Sequence, residues 1–169
     1  MSKPKSGLFK RTKGAETKPN NYSELPSHTK LQNDLCNWAK NYKEGLSKKD
    51  QSLFTVATIV YDCETNKEYF GRNKGIHINH ESKNLIIFGD ATHKGLLPNE
   101  ALNAYPLANC AEVDAINKAL NDGAKLNNLF IKTINTTKSK FGTNKKACEN
   151  CSYAFKGKIK ENYSGWEDE

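Results

Sequence analysis

Three cysteines divided between two distant segments constrain this chain more than any other feature. Cys110 lies in Asn109-Cys-Ala-Glu112, and the other two in Cys148-Glu-Asn-Cys151. If all three hold one zinc ion, the fold must bring both segments to a point. Three thiolates leave one tetrahedral position open, whereas a closed structural site takes four protein ligands. An open position admits a water molecule, whose pKa zinc lowers to about 7. Glu112 would stand beside the ion without binding it and would move protons. Cys36 and Cys63 read as buried apolar thiols. Cys63 follows a strand end and is the one candidate for a fourth, closing ligand. His77 and His80 read as loop histidines, because no helical pattern holds them on one face.

Apolar periodicity supplies the frame around these segments. Leu31, Leu35, Trp38 and Tyr42 recur at helical spacing between His28 and Leu46, predicting an amphipathic helix that Gly45 ends. Leu53 to Tyr61 is dense in β-branched and aromatic residues and predicts a central strand. Asp62 to Lys67 reads as a turn, with Glu68 to Gly71 returning as the second strand of a hairpin. Leu85 to Phe88 reads as a short strand inside a long connection that runs from Gly71 to Ala108. Ala111, Val113, Ala115, Ile116, Ala119 and Leu120 mark a helix starting at Asn109 and capped by Gly123. Leu129 to Ile134 is a strand, and a loop from Asn135 to Lys146 leads to a short helix that opens on the cysteine pair. One short strand around Ile159 to Tyr163 completes the pattern. The order predicts an α/β fold, a central mixed sheet of about four or five strands covered by helices. Zinc would then sit at the N-termini of two helices, whose positive ends favour thiolates. Residues 25–169 form one domain on this reading. Residues 1–24, basic and rich in Lys, Ser, Gly and Pro, read as a flexible tail or linker.

Charge and cysteine usage narrow the partners. The chain carries 26 Lys and Arg against 19 Asp and Glu, a net charge of +7. Much of the excess, including Lys138, Lys140, Lys145, Lys146, Lys156, Lys158 and Lys160, surrounds the cysteine pair. A basic rim around a reactive centre draws a polyanion toward it; the plain alternative is a solvated lysine-rich surface. An odd number of cysteines with a tight C-x-x-C points to metal in a reducing compartment rather than a disulfide framework. No apolar stretch approaches the roughly 20 residues of a membrane span, and no signal peptide is legible. A monomer without a membrane partner is expected. The spacing C-x-E followed by C-x-x-C corresponds to the all-cysteine variant of the zinc-deaminase signature. A structural zinc half-site or a redox pair would explain the C-x-x-C but not Cys110 ahead of Glu112.

The segment Asn109 to Ala124, with Ala147 to Cys151 and the trailing Phe155-Lys-Gly157, closely resembles the YwqJ-like deaminases, toxin domains of the cytidine-deaminase superfamily. The likeness runs from about Tyr69 to Trp166 and includes Gly71-Arg-Asn-Lys-Gly75. It implies a cytidine deaminase-like fold in which Cys110, Cys148 and Cys151 hold Zn2+ and Glu112 is catalytic. Asn73, Asn109 and Ala111 would contact the substrate. Cytosine in DNA, single-stranded or flipped out, is the expected target. RNA cytosine or adenine is the alternative, and a non-catalytic zinc module binding nucleic acid or an immunity protein is another of a different class. Phe70, Tyr105, Phe141, Tyr153 and Phe155 are aromatic residues able to stack on a base. The resemblance also implies the C-terminal part of a larger secreted bacterial toxin, acting in the target-cell cytoplasm and neutralised by a cognate immunity protein. Ala147 stands where the superfamily usually has proline, which should loosen the approach to the second helix.

Overall fold

Ser27 starts the first helix by accepting a hydrogen bond from Lys30 N at 2.9 Å, which satisfies one of the otherwise unpaired N–H groups of a helix start. Helix α1 (His28–Glu44) buries Leu31 and Leu35 of the expected stripe together with Ala39, while Trp38 and Tyr42 pack partly buried against the same cluster. The computed structural model describes residues 25–167, so the basic segment 1–24 lies outside the described residues. Helix α2 (Lys48–Leu53) follows, capped by Ser47, whose hydroxyl accepts from Asp50 N at 3.2 Å. It takes up the first residue of the expected strand, so β1 runs over Val56–Asp62 and β2 over Lys67–Arg72.

Three short or medium helices come next: α3 (Gly75–Asn79), α4 (Leu85–Phe88) and α5 (Ala111–Asn121). The four apolar residues of α4 are a helical turn and not the expected strand. Asn84 decides this locally, its side chain accepting from Ile86 N at 3.0 Å, and Gly89 leaves the turn at φ +67°. A 3-10 turn at Leu126–Asn128 leads into β3 (Leu129–Asn135), followed by α6 (Glu149–Phe155) and β4 (Glu161–Asn162).

The strands form one mixed sheet in the order β2-β1-β3-β4. β1 is antiparallel to both β2 and β3, and β3 is parallel to β4. This is the mixed α/β architecture expected, with four strands. Strand alternation sorts the core into two layers. Ala57, Ile59, Tyr61, Phe130 and Ile134 pack under α1, while Val60, Leu129 and Ile131 pack against α5 and α6. Lys132 shares the α1 side, buried there with its amine donating to Asn144 Oδ1 at 3.1 Å.

Two glycines, Gly71 in β2 and Gly75 at the start of α3, let α5 approach both elements closely. A Cβ at Gly71 would meet Ala115 N at 2.4 Å and Ala111 O at 2.6 Å, and one at Gly75 would meet the Asp114 carboxylate at 1.9 Å. The obstacle at Gly71 is helix backbone, which cannot rotate aside. Gly71→Ala is therefore expected to cost at least about 1–3 kcal/mol, the usual penalty of overpacking, and to lower Tm by several degrees in a calorimetric scan. An unchanged midpoint would refute this packing.

Candidate metal centre

Helix α5 starts at Cys110 and helix α6 at Cys148, each occupying the N-cap position, and Cys151 lies in the first turn of α6. The two helix starts converge. Cys110 Sγ lies 3.0 Å from Cys148 Sγ, and the sulfurs of Cys110, Cys148 and Cys151 are all within 4.8 Å of one another. Zinc with Zn–S bonds of ~2.3 Å holds tetrahedral sulfurs about 3.8 Å apart, a separation these distances bracket. The donor set therefore fits a metal ion and is compatible with zinc, although thiolates also suit copper(I) and iron–sulfur centres. Thiol hydrogen bonds from Cys110 and Cys151 hold the Cys148 pKa down, helped by the Cys151 and Asn150 backbone N–H groups. Contact with Cys148 pushes Cys110 up, and contacts with Cys110 and then Cys148, together with burial, push Cys151 up.

Neither Cys63 nor the histidines join the cluster. Cys63 follows the Asp62 end of β1, whereas Val56, at the opposite end, lines the cleft beside the cysteines. Seven residues of strand at roughly 3.3 Å each separate the two ends, so Cys63 does not close the site. Cys36 lies on the α1 side of the sheet, where its sulfur accepts from Gln32 Nε2 at 3.3 Å. His77, in α3, and His80, just after it, are exposed. All five cysteines are free thiols.

Glu112 is 4 % exposed. Its Oε1 lies 4.0 Å from Cys151 Sγ, and its Oε2 accepts from Thr133 Oγ1 at 3.1 Å. Thr133 in turn shares a 2.7 Å hydrogen bond with Thr58 Oγ1. Ser164 Oγ accepts from Thr133 N at 2.8 Å and donates to Thr133 O at 2.9 Å. This chain of hydroxyls across β1 and β3 fixes the carboxyl group. Burial pushes the Glu112 pKa up to about 7, opposed first by a hydrogen bond from its own backbone N–H and then by the Thr133 hydrogen bond and the nearby Lys145. A group poised there can both accept and return a proton near neutral pH.

Cys110, Cys148 and Glu112 stand in the wall of a cleft of about 480 Å³, with Cys151 buried behind them, and Asn73, Asn109, Ala111, Tyr105, Lys140, Lys145 and Lys146 also line it. All three residues expected to touch a substrate are thus present. Asn73 is largely engaged already, its Oδ1 accepting from Thr55 N and Val56 N at 3.0 and 3.2 Å and its Nδ2 donating to Leu53 O at 2.9 Å. Of the hydrogen bonds an asparagine side chain ordinarily makes, one N–H remains. Asn109 is held by its backbone, its carbonyl accepting from Lys74 N at 2.9 Å. Among the candidate stacking residues, Tyr105 is 60 % exposed at the cleft and Tyr153 is also exposed, but Phe155 is buried and Phe70 stacks on Trp38.

Two residues beside the cysteines have roles that motif spacing does not reveal. Asn150, fully buried between them, accepts from Leu102 N at 2.8 Å and donates to Asn103 Oδ1 at 3.2 Å, and Asn103 Oδ1 also accepts from Tyr105 N at 2.9 Å. The helix that carries Cys151 thereby tethers the loop that carries Tyr105. Asn150→Ala is expected to cost about 1–3 kcal/mol by leaving Leu102 N without its partner. Amide exchange at Leu102 and Tyr105 should rise with zinc content unchanged; unaltered exchange would refute the tether. Ala147 corrects the expectation of a loosened approach. Its N–H donates to Gly165 O at 3.1 Å and it bridges Trp166, a bond that proline could not make. Here the approach to α6 is fastened by the C-terminal segment.

Comparison with protein-family models, curated proteins and solved structures finds no match for this chain.

Proposed function

We propose that the protein is a zinc-dependent hydrolytic nucleobase deaminase of cytidine deaminase-like fold, converting cytosine to uracil in DNA. The observation that carries this reading is Glu112. A buried carboxyl group, held by Thr133 beside three converging thiols and open to a cleft, is what a closed structural zinc site has no use for. The cleft volume lies within the range of small-ligand sites. The resemblance of Asn109 to Ala124 and Ala147 to Cys151 to YwqJ-like deaminases supports the same reading.

In this mechanism Cys110, Cys148 and Cys151 would hold the zinc, which when bound would supply a water acidic enough to attack at neutral pH. Glu112 would accept a proton from the attacking water and deliver it to the ring nitrogen of the base, then take the remaining proton of the new C–OH group and pass it to the amino group, which leaves as ammonia as the C=O bond forms. Thr133 keeps the carboxyl group aimed during both transfers. The remaining N–H of Asn73, together with Asn109 and Ala111, orients the nucleotide at the cleft wall. Lysines at the rim favour a polymer over a free nucleoside.

Deployment as the toxic part of a secreted bacterial protein, opposed by an immunity protein, belongs to the same proposal. Among the described residues no helix is long and apolar enough to cross a membrane. The test is to incubate the zinc-loaded protein with single- and double-stranded DNA and RNA and to sequence the products. Cytosine-to-uracil change in DNA supports the reading. Conversion confined to RNA or to adenine redirects it, and no conversion on any of the four overturns it.

A further inference from the structure

A second cleft, of about 780 Å³, lies between the C-terminal end of α1, helix α2 and residues 137–141. It is lined by Lys40, Lys43, Lys48 and Lys138, with Glu44 as its one acidic residue. Thr137 lines both this cleft and the metal cleft. The 137–141 segment is therefore a ridge between the two, facing Lys138 and Phe141 to one side and Ser139 and Lys140 to the other. Backbone bonds give the ridge a fixed shape: Lys140 N donates to Thr137 O at 3.1 Å and Gly142 N to Asn135 O at 2.9 Å. Its base is anchored as well, with Lys43 Nζ donating to Thr136 O at 2.5 Å and Thr136 Oγ1 to Phe54 O at 2.8 Å.

We propose that this cleft is a second nucleic-acid site, holding the phosphodiester backbone of the same single strand whose base enters the metal cleft. The proposal rests on the reading of the metal cleft as a nucleobase site. Three features favour a nucleic-acid strand over an acidic protein. The lysines continue across Thr137 from one cleft into the other, as a single polymer crossing the ridge requires. Both sides carry an exposed aromatic ring, Phe141 at 37 % on the second cleft and Tyr105 on the first, and bases stack on such rings without regard to sequence. The ridge is also shaped before any partner arrives, which lowers the ordering cost of binding.

The experiment measures binding of the zinc-loaded full chain to a fluorescent mixed-sequence single-stranded DNA, longer than a site of about 4–16 nucleotides, across a salt series. Lys40, Lys48 and Lys138 are exposed, so replacing all three by alanine leaves the core intact. Each phosphate contact on a single strand contributes about 0.7 to the salt slope. The triple variant should therefore lose about 2 from the slope and bind at least about tenfold more weakly at low salt. A control triple removing Lys83, Lys94 and Lys125, which lie outside both clefts, should keep the wild-type slope. Equal losses in the two triples, or none in the first, would overturn the proposal. Phe141→Ala should weaken DNA binding but not the binding of polyglutamate. If polyglutamate displaces DNA as well as unlabelled DNA does and Phe141→Ala changes neither, the surface belongs to an acidic protein and the proposal fails. Binding that depends on these lysines without base conversion sustains this site and removes the deaminase reading. Conversion with binding that ignores them does the reverse.

Discussion

Glu112→Ala is expected to lower the rate of base conversion by about 10²–10⁴-fold, the range over which a positioned general acid–base group acts, while the protein retains its zinc. The separation of those two effects follows from the geometry. The three sulfurs converge on one another, whereas Glu112 Oε1 stands 4.0 Å from the Cys151 sulfur and its Oε2 is occupied by Thr133. Removing the carboxyl group deletes the proton carrier but none of the thiols. Rates from product sequencing, paired with metal analysis of the same preparation, check both halves. Activity that persists in the variant would remove Glu112 from the mechanism, and loss of zinc would make it a ligand instead.

Cys151→Ala should abolish stable zinc binding, weakening affinity by more than the 10–100-fold that outer partners of a metal site typically contribute. Cys151 is fully buried in the first turn of α6 and packs within the same core cluster as Val113 and Ile131, so its loss removes a ligand and opens a small cavity. Tm should fall in the variant and should respond much less to added zinc, because an ion that binds only the folded state stabilises it by mass action. Cys63→Ala is the informative comparison. It lies beyond the far end of β1 from the cluster, and its substitution should leave zinc content at the wild-type value. Competition with a chromogenic chelator distinguishes the two variants; zinc loss on replacing Cys63 would contradict the placement of the site.

The cysteine cluster was legible in the sequence because it depends on residue types at short spacing. Cys110 with Glu112 and Cys148 with Cys151 each lie within one turn of a helix start, so local rules carried them to the correct ends of α5 and α6. Leu31 and Leu35 on the core face of α1 and the approximate positions of β1, β2 and β3 along the chain were legible from periodic or residue-type patterns. Short elements were not. Leu85 to Phe88 is too brief for periodicity to separate strand from helix, and the deciding signal was the Asn84 cap ahead of it. Ser47 and Asp50 carried a comparable cap signal for α2. The support of the site was hidden for a different reason. Thr133 reaches Glu112 only because β3 pairs with β1 and α5 lies across the sheet at Gly71. Asn150 meets Leu102 only through a loop whose path no local pattern announces. Contacts between segments far apart in sequence follow from the tertiary fold.

The most direct test of the account is a reaction run in heavy-oxygen water, with the zinc-loaded protein, a single-stranded DNA rich in cytosine, and mass analysis of the recovered bases. Hydrolytic deamination breaks the bond from ring carbon to amine and forms one to solvent oxygen. The account predicts that each uracil formed carries one heavy oxygen and that ammonia appears in equal amount. Both products should form about 10²–10⁴-fold more slowly with Glu112→Ala and should be absent after zinc is chelated. Unchanged cytosine with the zinc-loaded wild-type protein on this substrate, or uracil without the label, would contradict it.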